Sequence, residues 1–414
     1  MSLDVRRPVA RFAAAACILV SALALASCAS NRVPARGPAP QAQPPAVAPP
    51  APIQPPEVTA PTQPAGPAAV AAGRVGVALL LPLSGTNAAI GQAMLNAAQM
   101  AVFDLADDRF ELLTRDTRGS ADGAAAAARS AIADGAHLIL GPLLAQEVEA
   151  VKPIALDAHV PVIAFSTATQ LATRGIYLMG FAPGEDIMRV TAYAHAQGRD
   201  HFAVLAPRSP YGDVATEAIR AAVAAAGATL VRVEAYDPSI ADMVNAVRQF
   251  AAEGHDFDAL FLPEGDGRLK TLAPQLPYFN IDPDEVKFLG TGLWDEPGLG
   301  TEPALEGAWY AAPPPELRAG FEKRYADLYK TPPPRLATLG YDAAALAVVL
   351  ARSPQGADFS EDRLTNPNGF SGLDGIFRLR PNGLVQRGLA VLEVHRGAGT
   401  VIDPAPETFQ AQGF

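Results

Sequence analysis

The residues able to do chemistry in this chain stand in short polar clusters, each directly after an apolar run. Ser84-Gly85-Thr86, Gly141-Pro142 and Ser166-Thr167 come first, and Ser209-Pro210-Tyr211-Gly212, Glu264-Gly265-Asp266 and Thr291-Gly292 follow. Small hydroxyls and glycines dominate the first group, a ring and a carboxylate the second. Hydroxyls and free backbone N–H groups take a carboxylate and Glu264 takes an ammonium, so the set suits an amino-acid-sized ligand. The candidate ligand-binding residues are Ser84, Gly141, Ser166, Thr167, Tyr211 and Glu264.

Nothing in the sequence equips these clusters to transform what they bind. No G-x-S-x-G elbow, Walker loop or G-x-G-x-x-G follows an apolar run, so acyl transfer, nucleotide hydrolysis and dinucleotide binding lose their usual signals. His137, His159, His195, His201, His255 and His395 form no tight metal spacing, and His255-Asp256-Phe257-Asp258 reads as a turn. Asp282, Asp284 and Glu285 share a proline-bearing turn and read as solvated surface. We expect no enzyme activity, no metal and no cofactor.

The clusters need a scaffold, and the pattern supplies one. Val75-Gly76-Val77-Ala78-Leu79-Leu80-Leu81 is apolar throughout, as a parallel strand covered on both faces must be. Ile90, Met94, Ala97, Ala98, Ala101, Val102 and Leu105 then recur at helical spacing, with Asn87 as a candidate N-cap. Strands near 111–114, 137–140, 161–165 and 176–179 alternate with helices near 121–133 and 146–158. The alternation restarts with strands at 202–206, 229–235, 259–262 and 286–289 and helices near 213–226 and 242–253. Such alternation predicts an α/β protein of two doubly wound lobes, with ligand beyond the carboxyl ends of the strands. Helices at 316–329 and 341–350 follow, then 375–379 and 389–394 as a hairpin around Pro381-Asn382-Gly383. A chain of 414 residues exceeds what one core usually serves, which fits two lobes.

The first 73 residues read differently. Arg6, Arg7 and Arg11 precede an apolar run over 12–26, the layout of a secretory signal peptide. It ends in Leu25-Ala26-Ser27-Cys28, which resembles a bacterial lipobox. That resemblance implies cleavage before a Cys28 thioether-linked to diacylglycerol, and Ala29 after it implies sorting to the outer membrane. Residues 29–73 hold thirteen prolines between Pro34 and Pro67 and read as a disordered linker. At ~3.1 Å per residue in polyproline II it reaches on the order of 140 Å. Residues 74–414 carry 27 basic against 41 acidic side chains, so nucleic acid is not an expected partner.

Several segments are similar to type 1 periplasmic binding proteins of the leucine-binding kind: Leu81-Pro82-Leu83-Ser84-Gly85, Ile139-Leu140-Gly141-Pro142, 160–168, Tyr211-Gly212 and Gly340-Tyr341-Asp342-Ala343. The resemblance covers about residues 74–400. It implies two Rossmann-like lobes joined by three crossovers, here near 181–183, 292–297 and 373–375. The lobes would then be 74–182 with 294–374, and 183–293 with 375–414. It also implies that Ser84 and Ser166-Thr167 grip a ligand carboxylate, while Tyr211 packs and Glu264 pairs the ammonium.

One departure stands out. After Gly141-Pro142, amino-acid binders place serine where this chain has Leu143-Leu144. Those leucines look more like outer-membrane lipoprotein activators of penicillin-binding proteins. On that resemblance the chain is expected to be a lipid-anchored, non-enzymatic activator of a bifunctional peptidoglycan synthase. The alternative is a receptor for branched-chain or other amino acids feeding an ABC transporter.

Overall fold

The computed structural model describes residues 73–237, 239–296, 298–353, 356–397 and 399–409. The signal peptide, Cys28 and the linker lie outside the described residues. The first parallel sheet is built from β1 (Val75–Leu81), β2 (Phe110–Asp116), β3 (Ala136–Leu140), β4 (Val162–Ala164) and β5 (Ile176–Leu178), in the order β2-β1-β3-β4-β5. Its helices are α1 (Ala88–Leu105), α2 (Ala121–Ala133) and α3 (Ala145–Asp157). The apolar run of β1 divides as a pleated strand requires. Val77, Leu79 and Leu81 face one core and Ala78 and Leu80 the other, all of them fully buried.

The chain then enters α4 (Glu185–Ala196), β6 (His201–Pro207), α5 (Pro210–Ala226), β7 (Thr229–Tyr236), α6 (Ile240–Ala252), β8 (Ala259–Phe261), α7 (Asp266–Leu272), α8 (Gln275–Tyr278), β9 (Lys287–Leu289) and β10 (Trp309–Ala312). Next come α9 (Pro315–Tyr329), α10 (Ala337–Ala351), α11 (Glu361–Leu364), β11 (Phe370–Gly372), β12 (Gly375–Leu379), β13 (Val385–Arg387), β14 (Ala390–Val394) and β15 (Gly399–Asp403). The second sheet has seven strands in the order β15-β14-β10-β9-β8-β6-β7, parallel except where β14 and β15 join antiparallel. It too is covered on both faces, by Ile187, Val190 and Ile219 on one side and Met243, Val247 and Leu269 on the other. The described residues cluster as one unit.

Three corrections to the expected boundaries follow. Residues 294–312 remain with the second sheet, because Trp294 packs in its core and β10 pairs with both β9 and β14. The return to the first sheet therefore comes at 312–315 rather than at 294. Residues 375–387 do not belong to the second sheet. β11, β12 and β13 form a small antiparallel sheet whose Phe377 and Leu379 complete the core under α1 and α10, and the last crossing falls at 387–390. The turn at Pro381-Asn382-Gly383 is present, but the strand it returns to is β13; β14 pairs with β10 instead. Asn87 sits at the start of α1 without a capping side-chain bond, whereas Ser120, Ser209 and Ser239 do cap their helices.

Helices α9 and α10 return to the first sheet. α10 lies against α1 through Ala343, Ala344 and Ala347, and so closely at Gly340 that a Cβ there would meet the Met94 carbonyl oxygen at 2.5 Å.

Candidate ligand-binding cleft

The six candidate residues do not all meet. Ser84, exposed after β1, is tied to the end of β2. Its hydroxyl donates to Asp116 Oδ2 at 2.6 Å, and the N–H groups of Leu83, Ser84 and Arg118 donate to Oδ1. Desolvation opposes ionisation of Asp116, but these donors outweigh it and hold its carboxyl below the ordinary value. Gly141 is buried and structural: its φ is +87°, and a Cβ would sit 2.2 Å from the Leu80 carbonyl oxygen. Ser166, buried, accepts the N–H of Ala168 at 3.2 Å.

Leu143 and Leu144 pack inward. Leu143 is buried in the core beneath α1 and α10, and Leu144 packs against the same core. The Leu144 N–H donates to Glu147 Oε2 at 3.0 Å at the start of α3.

Glu264 is 2% exposed and fully engaged. Its carboxylate accepts Tyr236 Oη at 3.0 Å, the Gly265 N–H at 3.2 Å and Arg268 Nε at 3.0 Å. Burial, reinforced by the Glu264 charge, pushes the Tyr236 hydroxyl far above its usual range. Tyr211 donates its hydroxyl to Thr291 Oγ1 at 2.8 Å, which pins its ring to the end of β9. Burial, then the Asp186 charge, raises the Tyr211 hydroxyl as well.

Of the six, Thr167 and Tyr211 stand on the wall of a cavity of about 560 Å³, and the other four do not. It lies where the chain passes between the sheets. Phe181, Pro183 and Asp186 come from the first passage, Pro313 from the second, and Arg380 and Arg387 from the segment before the third. Gly292, Leu293 and Asp295 complete that side. Most of the wall is apolar, and the volume suits a small organic molecule. A wider depression of about 720 Å³, lined by four prolines with Asp282, Glu285 and Glu302, receives none of the six residues.

The strand-end reading missed the cavity's charged residues. Asp186, buried at the start of α4, accepts the Gly184 N–H at 2.8 Å and the Gly292 N–H at 2.5 Å. Burial pushes its carboxyl up, against those two N–H donors. Asp295 takes Arg318 in a bidentate pair at 2.6 and 3.1 Å and Arg335 Nε at 2.7 Å. Arg335 Nη2 lies 2.8 Å from Asp374 Oδ1, an ion-pair distance out of line for a hydrogen bond. One ring, Phe181, lies under both Arg335 and Arg387, at 4.3 and 4.8 Å from the guanidinium carbons. Asp186 opens a helix, Asp295 and Arg335 sit on connections, and Arg387 ends the short strand β13, so none of them follows an apolar run that marks a strand in the sequence. The signal available was arginine interleaved with apolar residues over 376–387.

Among the described residues no His, Cys, Asp or Glu group could hold a metal ion, and no helix is long and apolar enough to cross a membrane.

Two doubly wound sheets with a cavity at their crossings define a two-lobed binding protein, and comparison with known proteins agrees. The periplasmic binding protein family model matches residues 74–399, and the chain belongs to that family, with the type 1 fold. A chain assigned to a branched-chain amino acid ABC transporter of Rhodospirillum rubrum superposes with a TM-score of 0.69 at 21% identity, covering 80% of this chain and 100% of that one. A solute-binding protein of an R. palustris ABC transporter, in complex with benzoate, superposes at 0.59 with 18% identity, covering 82% and 98%. An uncharacterized protein of Rickettsia prowazekii (strain Madrid E) is 21% identical over 215 residues, half of this chain and 57% of the relative. A branched-chain amino acid transporter substrate binding protein of Streptococcus pneumoniae, in complex with isoleucine, superposes at 0.56 with 18% identity, covering 80% of this chain and 100% of that one.

Proposed function

We propose that this protein is a non-enzymatic, periplasmic receptor that binds a small organic solute at the crossings between its sheets and delivers it to an ABC importer. One observation carries the reading: the apolar cavity of about 560 Å³ formed by the connecting segments, with Thr167 and Tyr211 on its wall. A site placed there couples occupancy to hinge closure, because the segments that touch the ligand are those that must bend. The leucines that favoured a docking body, Leu143 and Leu144, lie in and against the core and leave the cavity clear. The relatives with solved structures are mostly solute-binding proteins, which supports the same choice.

In this reading Cys28 carries a lipid anchor in the outer membrane and residues 29–73 are the tether. The lipobox-like Leu25-Ala26-Ser27-Cys28 supports the anchor. The long proline-rich spacer favours a second reading, an activator that reaches a bifunctional penicillin-binding protein across the periplasm.

A thermal-unfolding screen of the full chain against amino acids, organic acids and sugars tests the choice. Occupancy at about 100 times Kd adds about 2.7 kcal/mol, so a true ligand raises the midpoint by several degrees. A flat response, with saturable binding to a penicillin-binding protein, supports the second reading instead.

A further inference from the structure

The acids and bases on the cavity wall are unequal in one respect. Every carboxylate there is already engaged. Asp186 holds two backbone N–H groups, Asp295 holds Arg318 and Arg335, Glu185 pairs with Arg380 at 3.2 Å, and Glu296 has a partner too. Glu264, the acid expected to receive an ammonium, is absent from the wall and held by Arg268. No carboxylate on the wall is thus left without a partner, and burial pushes the carboxyl of Asp186, which is held by neutral N–H groups, towards its uncharged form.

Among the cations one is incomplete. Arg335 is shared by Asp295 and Asp374, and Arg380 has Glu185. Arg387 is 8% exposed and donates only Nη2, to the Met179 carbonyl oxygen at 2.7 Å; Nε and Nη1 bond to nothing among the described residues. Its flat face is occupied by Phe181 and Phe377, but stacking uses the π face and leaves the in-plane donors unfilled. A buried guanidinium with unfilled donors is costly, and its planar fork matches a carboxylate.

Resting on the receptor reading, we propose that the solute is an apolar carboxylate without an ammonium group, bound through its carboxylate to Arg387 in the cavity. The hydrocarbon part lies against Leu178, Met188, Leu293, Leu336 and Leu384. Nε and Nη1 are closed off in this conformation, so the side chains packed around Arg387 shift when a carboxylate reaches them. Of the two carboxyls near Arg387, burial and the Asp374 charge push Asp342 up to about 7, whereas Asp374, against its own burial, is held down by Arg335 and Arg387 and stays charged.

Calorimetric titration of the full chain with matched pairs tests this: benzoate against benzamide, and 3-phenylpropionate against L-phenylalanine. The expected result is that each acid binds at least tenfold more tightly than its partner, and that Arg387→Met removes acid binding while the circular dichroism spectrum is kept. Should Arg387→Met fail to fold, the wild-type pairs decide alone. Tighter binding of L-phenylalanine or benzamide overturns the ligand class and leaves the receptor reading standing. Silence toward these probes while another solute class binds does the same. Silence toward every solute in the wider screen overturns both.

Discussion

The Asp186 carboxylate accepts the Gly292 backbone N–H at 2.5 Å, and this bond fastens the start of α4 to the loop after β9 across 106 residues of sequence. The other oxygen of Asp186 holds Gly184. A single buried side chain therefore sets the geometry of the first passage between the sheets and of one cavity wall.

Asp186→Ala should destabilise the protein by about 1–3 kcal/mol, since two buried N–H groups lose their acceptor. Denaturant unfolding measures this. Asp186→Asn keeps one acceptor and should cost less, and an equal loss for both would place the role in the charge.

Asp342 predicts a pH dependence. Burial and the Asp374 charge raise its carboxyl from 3.8 to about 7 in the folded protein. Between these values the unfolded chain has released the proton that the folded one keeps, so this group makes stability fall as pH rises from about 4 to about 7. Asp342→Asn should flatten that slope in urea titrations across the window. A slope unchanged by the substitution would show that Asp342 titrates normally.

Two glycines in helices should respond in opposite directions. Gly320 in α9 is exposed, and a Cβ there meets nothing within 4 Å, so Gly320→Ala should stabilise by about 0.5–1 kcal/mol. Gly340→Ala forces a Cβ to 2.5 Å from the Met94 carbonyl oxygen and should destabilise by about 1–3 kcal/mol as α10 is pushed from α1. Thermal unfolding of the two variants distinguishes them by sign.

Glu264→Gln separates the site expected from the strand ends from the one proposed at the crossings. The carboxylate is off the cavity wall and bound to Tyr236 and Arg268, so the substitution should lower stability by about 1–3 kcal/mol and leave solute affinity within about twofold. A tenfold loss of affinity at unchanged stability would return Glu264 to the site.

Most of the fold was legible because parallel strands covered on both faces declare themselves as apolar runs, unbroken in β1 and interrupted in β3 only by the exposed His137. Helix α4 went unread although Ile187, Val190 and Ala194 form its buried stripe, since the charges between them dilute the period. Strand β10 is four residues long between alanines and prolines, and only its pairing with β9 and β14, distant in sequence, marks it as a strand. The hairpin partner of β12 was misread for the same reason: pairing is decided by tertiary contact, not by local pattern. Of the residues the strand-end rule named, Thr167 and Tyr211 stand on the cavity wall, while Glu264 stands off it, paired with Arg268 four residues on. Arg335, Arg387 and Asp186 become neighbours only through the crossings, whose positions the local pattern does not contain.

The central claim is that the cavity at the crossings receives a solute. Met188 stands on its wall with 45% of its surface exposed, so Met188→Trp can fill the space without disturbing a core. Calorimetric titration of the wild type and this variant with the most stabilising solute of the screen is the direct measurement. The account predicts one solute bound per wild-type chain and at least a tenfold loss in Met188→Trp at an unchanged unfolding midpoint; undiminished binding in the variant, or none in the wild type, would contradict it.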